Sequence, residues 1–357
     1  MTDTPFLTVD VARLDTNIGA TAARARATDL QLRPHAKTHK CAQIAQLQLD
    51  AGAVGLTVAT IGEAEAFADA ALTGRRDLFI AYPLWVTEHK GARLRALADR
   101  IRLRVAIDSV DGARRLAAET ADVDLEVVVE VDSGQHRTGV DPDQAGVIAR
   151  TAVESGLRVV GLFTFPGHGY GPGDARRRAA DNEVAAISRA ADRLRDNGID
   201  PVVRSGGSTP TIEFAGTEAL TEIRPGVYPF NDAQQVELGS CDLDAVALCA
   251  VGTVVHRTGR RIVADTGSKI LGADRPPWTS GFGRLLDAPD ARITSLSEHH
   301  AVIDYPRDDD AIPELGARVR VVPNHVCTAV NLVDHLYAEA ADGTSVRWPV
   351  IARGANS

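Results

Sequence analysis

The sequence predicts an α/β chain: a (β/α)8 barrel followed by a C-terminal all-β domain. Three observations carry this. Short β-rich runs alternate with Ala-rich helical runs, the alternation repeats eight times within roughly 200 residues, and the texture changes after about residue 240.

Taken in order, Phe6-Leu7-Thr8-Val9 alternates and reads as a short strand. Val11 to Ala27 reads as a helix with Leu14, Ile18 and Ala22 on one face. The eight β-rich runs are Leu30–His35, Gly55–Ala59, Leu78–Tyr82, Leu103–Ile107, Leu125–Val131, Val159–Phe165, Val202–Ser205 and Glu222–Pro225. Helical runs separate them: Ala42–Ala51, Glu63–Leu72, Glu88–Arg100, Val110–Ala121, Asp143–Ser155, Asp174–Asp196 and Thr209–Ala215. An open doubly wound sheet is the competing arrangement. No Gly-x-Gly-x-x-Gly turn follows the first run, which counts against it. Beyond residue 240, Val251–His256 and Arg261–Asp265 flank Gly259 and form a hairpin signal. Ala291–Leu296, Ala301–Tyr305, Val319–Val322 and Val346–Ala352 continue the β texture. The expected domains are therefore 10–241, the barrel, and 242–357 with the N-terminal strand 1–9.

Composition narrows the function classes. At 357 residues, 44 % hydrophobic and 24 % charged, the chain can bury large cores and has ordinary soluble character. A net charge of −9 argues against nucleic acid as a partner. No apolar run is long enough to span a membrane, and Met1-Thr2-Asp3-Thr4-Pro5 lacks the pattern of a signal peptide, so a cytoplasmic protein is expected. Cys41, Cys241, Cys249 and Cys327 are widely spaced and read as reduced thiols or ligands.

Barrel active sites lie where strands end. The first run leads into Arg33-Pro34-His35-Ala36-Lys37-Thr38-His39-Lys40, either a basic surface loop or the seat of a Schiff-base lysine at Lys37. If extended, this segment would place His35 and His39 on the same face as Lys37. The fifth run leads into Asp132-Ser133-Gly134-Gln135-His136-Arg137, where Arg137 suits a surface salt bridge or a phenolate-like oxyanion. The seventh leads into Ser205-Gly206-Gly207-Ser208-Thr209-Pro210-Thr211, a capped turn or a phosphate cradle. The eighth leads into Gly226-Val227-Tyr228, the other loop that commonly holds phosphate in such barrels. His325-Val326-Cys327 follows a strand. Read as extended, it points an imidazole and a thiol the same way, as two zinc ligands or as a core cysteine beside a histidine.

These motifs, with Asp265-Thr266-Gly267-Ser268-Lys269, Ser297-Glu298-His299 and Trp348-Pro349-Val350-Ile351-Ala352-Arg353-Gly354, resemble over nearly the full chain the D-threonine aldolase and D-serine dehydratase family of pyridoxal-phosphate enzymes. The resemblance implies an alanine racemase-like fold, with Lys37 bearing pyridoxal 5'-phosphate. It implies that Gln135 and Arg137 lie by the ring, and that Gly207, Ser208, Thr209, Gly226, Val227 and Tyr228 lie by the phosphate. It also implies a divalent metal on His325 and Cys327. The aldolase branch usually reads His-Cys-Asp-Pro here, whereas this chain reads His325-Val326-Cys327-Thr328, like the zinc-dependent dehydratase branch. A thiolate favours zinc. The implied reaction is dehydration of a small β-hydroxy D-amino acid to a keto acid and ammonia, with aldol cleavage as the alternative. The implied assembly is a homodimer.

Overall fold

The computed structural model describes residues 3–74, 76–121, 123–307 and 311–357. The chain divides into two compact units. One comprises Ala20–Lys37, Ile44–Gly226 and Ala355–Ser357; the other comprises Met1–Gly19, Thr38–Gln43 and Val227–Gly354. The partition is therefore discontinuous, unlike the linear boundaries at 9/10 and 241/242, and Met1 and Thr2 lie outside the described residues.

β1 (Phe6–Asp10) belongs to the second unit and runs into α1 (Val11–Ala27). The first unit holds β2 (Gln31–Leu32), β3 (Leu56–Val58), β4 (Asp77–Pro83), β5 (Arg102–Ile107), β6 (Leu125–Glu130), β7 (Arg158–Phe163), β8 (Val203–Gly206) and β9 (Glu222–Ile223). All eight runs read from the sequence form parallel strands, ordered β2-β9-β8-β7-β6-β5-β4-β3. A parallel bridge between His35 and Thr57 joins the two ends. Val54 N–H donates to Leu32 O at 2.9 Å beside it, so the sheet closes on itself.

Helices α2 (Ala42–Asp50), α3 (Ile61–Asp69), α4 (Glu88–Ala98), α5 (Val110–Glu119), α6 (Ala145–Glu154) and α7 (Ala175–Asp196) follow the strands. Thr60, Thr87 and Ser109 start α3, α4 and α5, each side-chain oxygen accepting a first-turn N–H that the helix itself leaves orphaned. At Gly161, φ is +154° and a Cβ would collide with Val203 O. Only glycine allows β7 to approach β8 there.

Strand alternation sends residues 77, 79, 104, 106, 126, 128, 163, 205 and 222 to one side of the closed sheet. Phe79, Ala106, Val128 and Phe163 form one buried layer, with the Phe79 and Phe163 rings edge to face at 5.1 Å. The adjoining layer is ionic. Arg33 reaches Asp77 and Glu222, both at 2.6 Å, and Arg104 reaches Glu126 at 3.0 Å and Glu222 at 3.5 Å. Two salt-bridged partners hold the Arg33 guanidinium charged despite burial, and the neighbouring arginines hold Glu222 below the usual carboxylate range despite its desolvation.

The second unit is a nine-stranded sheet. Its remaining strands are β10 (Leu248–Thr258), β11 (Arg261–Ala264), β12 (Gly283–Leu285), β13 (Arg292–Leu296), β14 (Ala301–Asp304), β15 (Arg318–Pro323), β16 (His335–Glu339) and β17 (Ser345–Pro349). The order is β11-β14-β13-β12-β15-β10-β1-β16-β17, and β11 also pairs with β10. The predicted hairpin forms, with Gly259 at φ +56° in its turn. Ile262, Ile303 and Ile293 lie in one row across β11, β14 and β13, each fully buried. Short helices α8 (Ala233–Glu237), α9 (Ser268–Leu271) and α10 (Val326–Val330) complete the unit. No helix among the described residues is long and apolar enough to cross a membrane.

Candidate active site

Residues 33–40 are not extended beyond His35: Ala36–Thr38 is a single 3-10 turn. The reading that an extended chain aligns His35, Lys37 and His39 is therefore corrected. Arg33 turns into the barrel interior, His39 Nδ1 accepts the Cys41 N–H at 3.1 Å, and Lys40 donates to Asn331 at 2.8 Å. Of these eight residues Lys37 alone is not buried. A lysine side chain held at a strand end and left accessible is what a carbonyl-binding lysine requires.

Gln135 and Arg137 ride on a loop that builds itself. Asp132 Oδ1 accepts the N–H groups of Gly134 and His136, at 2.8 and 3.0 Å, and Oδ2 pairs with His136 Nδ1 at 2.7 Å. Thr138 donates to Glu130 Oε1 at 3.0 Å. The exposed Arg137 guanidinium lies 5.3 Å from the centroid of the Phe165 ring. Glu130, Gln135, Arg137 and Phe165 line one small recess. Burial pushes the Glu130 carboxyl up to about 7, against the pull of Thr138 and Arg137. Among the described residues its Oε2 meets no hydrogen-bond partner.

In the glycine loop, Gly207 has φ +74° and Ser208 opens the six-residue 3-10 turn Thr209–Phe214. That turn stands where an α-helix over 209–215 is expected. Ser208 N–H donates to Thr211 Oγ1 at 3.0 Å in a capping box. The Gly207 N–H is bonded to the carboxylate of Glu183 at 2.8 Å, and so does not face outward. Gly226 ends the first unit's main segment; Val227 and Tyr228, both buried, begin the second unit's. Arg224 N–H donates to Gly206 O at 2.8 Å, tying the segment before Gly226 to the glycine loop. The chemistry fits a phosphorylated carbonyl cofactor: an accessible lysine, an arginine on a ring-lined recess, and hydroxyls on a glycine loop.

His325 and Cys327 do not lie on an extended segment either. His325 is extended, at φ −133° and ψ 103°, but it caps α10, and Cys327 lies in the helix's first turn. The buried Asp232 causes this, accepting the N–H groups of Gln235 and Val326 at 3.0 and 3.2 Å and so fixing the starts of α8 and α10 together. His325 Nδ1 is 2.6 Å from Asp274 Oδ2, which also accepts the Thr328 hydroxyl at 2.8 Å. Cys327 Sγ donates to Thr38 Oγ1 at 3.2 Å, and Thr38 follows Lys37 in the chain. Partial desolvation works to lower the His325 pKa, and is outweighed by Cys327 and Asp274, which raise it to about 11. Imidazole and thiol are zinc-type donors, and a carboxylate on the far ring nitrogen is the usual partner of a metal-bound histidine. Sequence reasoning missed Asp274. Its only local signal is a carboxylate beside the Pro276-Pro277 turn, 51 residues from the histidine it orients.

Comparison with known proteins extends this picture. Residues 9–233 match the family model "Alanine racemase, N-terminal domain", and residues 247–338 match "Putative serine dehydratase domain". The chain is 33 % identical to the D-threo-3-hydroxyaspartate dehydratase of Delftia sp. (strain HT23), over 97 % of this chain and 96 % of that one. It is 32 % identical to the D-threonine aldolase of Arthrobacter sp., over 99 % and 93 %. A solved structure of a cysteine-to-alanine variant of D-threo-3-hydroxyaspartate dehydratase, in the metal-free form, superposes with a TM-score of 0.89. It shares 31 % identity and covers 98 % of this chain and 97 % of that one.

Proposed function

Since the chain belongs to the alanine racemase N-terminal-domain family and is an enzyme, we propose that it is a pyridoxal-phosphate- and metal-dependent lyase of β-hydroxy D-amino acids, dehydrating serine- or 3-hydroxyaspartate-type substrates. The observation that carries the reading is Lys37, the one residue of its basic octet left accessible, beside Thr38, whose hydroxyl accepts from Cys327. In this reading residues 10–241 hold the cofactor, and 242–357 with the N-terminal strand hold the metal.

Lys37 would hold the cofactor's carbonyl carbon. Arg137 and Gln135 would meet its ring, and Gly207, Ser208, Thr209, Gly226, Val227 and Tyr228 would surround its phosphate. Bound there, pyridoxal phosphate supplies an electron sink for charge developing at the substrate Cα. His325 and Cys327 would hold a divalent cation, zinc by donor type, which supplies Lewis acidity toward the β-hydroxyl. The chain's own groups do the rest. Lys37 Nζ would serve as the general base that takes the Cα proton. Arg137, braced on Phe165, offers a fixed cation to an oxyanion. Asp274 holds the His325 ring by its Nδ1, which would leave Nε2 as the donor. Loss of the Cα proton together with the β-hydroxyl, as water, would leave an enamine, whose imine tautomer takes up water to give a keto acid and ammonia.

The second reading is aldol cleavage to glycine and an aldehyde, supported by the similarity to D-threonine aldolase. Product analysis on D-serine, D-threonine and D-3-hydroxyaspartate, each with and without a chelator, separates the two. Keto acid and ammonia, lost on chelation and restored by zinc, is the expected result; glycine plus aldehyde would replace the dehydratase reading. A Lys37→Ala variant should lose both bound cofactor and activity. Light scattering after size exclusion checks the homodimer we also propose.

A further inference from the structure

Glu183 on α7 is a buried carboxyl with no part in the chemistry above. Its Oε1 accepts the Gly207 N–H at 2.8 Å, and a Cβ placed on Gly206 would collide with that same oxygen. The carboxyl thus fills the space under two consecutive glycines and holds the second in its left-handed turn, φ +74°. A backbone carbonyl would satisfy one N–H at less cost than a carboxyl out of water. Among the described residues, Arg224 is the charged neighbour that pulls Glu183 toward ionisation.

We propose that Glu183 is a positioning residue for the cofactor's phosphate: it sets the Gly206-Gly207 turn from beneath, so that Ser208 and Thr209 meet the phosphate in one fixed geometry. The inference rests on the pyridoxal-phosphate reading above. Burial pushes the Glu183 carboxyl up to about 7, so near neutrality it presents less than a full negative charge to an anion above it.

The test compares the affinities of apo-protein for pyridoxal 5'-phosphate and for pyridoxal, which lacks the phosphate, by equilibrium dialysis. Glu183→Ala should weaken binding of the phosphorylated compound about tenfold, the effect of one buried donor left unpaired, with pyridoxal affinity unchanged. Glu183→Gln, which keeps an acceptor oxygen at the same reach, should restore the preference for phosphate. Glu183→Asp keeps the charge but falls one methylene short, and should behave like Glu183→Ala; it decides the matter if Glu183→Ala does not fold. Equal loss for both compounds would make Glu183 a packing residue and overturn the proposal, as would an unchanged preference in Glu183→Asp. A wild-type protein that binds pyridoxal as tightly as its phosphate would overturn the phosphate site itself, and this inference with it.

Discussion

The two units fill their interiors in opposite ways. The β-sheet unit packs aliphatic rows, Ile262, Ile303 and Ile293 among them. The barrel unit buries Arg33 and Arg104 against Asp77, Glu126 and Glu222, two cations among three anions, at 1 to 2 % exposure each. Dispersion and the hydrophobic effect tolerate small errors of fit. A buried ion network does not: its attraction offsets desolvation only while every member keeps its partners. The difference teaches where each unit is fragile.

The largest effect should come from Glu222→Ala, which strips a partner from Arg33, Arg104 and the Ser205 hydroxyl at once. A loss of about 3–5 kcal/mol is expected in urea unfolding followed by circular dichroism. A loss under 1 kcal/mol would mean that the network is not what holds the barrel interior. In the other unit Ile303→Ala should cost about 3 kcal/mol, and Ile303→Val only about 1 kcal/mol, a graded response that the ionic layer should not show.

Acid–base titration sharpens the contrast further. Glu130 and Glu183 are raised from 4.5 to about 7, mainly by burial, so the folded state binds protons that the unfolded chain has released. Between about pH 4.5 and 7 stability should therefore fall as pH rises, by up to about 1.4 kcal/mol per pH unit for each group. Glu126 and Glu222 are shifted the other way, by their arginines; their contribution is present above 4.5 and is lost as pH falls through their lowered values. A Glu130→Gln, Glu183→Gln double variant should flatten the neutral limb and leave the acid limb intact, read as Tm against pH. The smallest effect on stability, under about 0.5 kcal/mol, should follow Asp274→Asn at its half-exposed site. The same variant should weaken metal affinity about 10- to 100-fold, measured by competition with a chromogenic chelator. Unchanged metal affinity would remove Asp274 from the site.

Much of the fold was legible in the sequence because β-rich runs and helical runs differ in period. All eight barrel strands and the Gly259 hairpin fall within or beside the predicted runs. β12 escaped notice because three residues carry no periodicity, and β16 because His335-Leu336-Tyr337 alternates too briefly to stand out. The ionic layer was written in plain view as Arg33, Asp77, Arg104, Glu126 and Glu222 within or beside strands. Charged strand residues ordinarily read as solvent-facing, and only closure of the sheet turns them inward. At the candidate site, the motifs left Lys37, Arg137, His325 and Cys327 open between bland and functional roles, and the family resemblance singled them out. Motif spacing could not show that Asp232, some 90 residues away, starts a helix at Val326, because a long-range cap leaves no local pattern. Nor could it show that Glu183 takes the Gly207 N–H, since the two elements meet only in the folded unit.

One feature of the sheet bears on how the protein is made. β1 leaves the ribosome before its two flanking strands, yet it is an inner strand of the nine, between β10 and β16. Thr8 and its neighbour Tyr337 are 329 residues apart. At translation rates of about 5–20 residues per second, β1 waits about 15–65 seconds for its second flank to be synthesised. Barrel strands, by contrast, meet most of their neighbours within one helical crossover. The nascent chain should therefore gain protease resistance first in the barrel segment, with the N-terminal strand still a substrate for holdases until the last strands emerge.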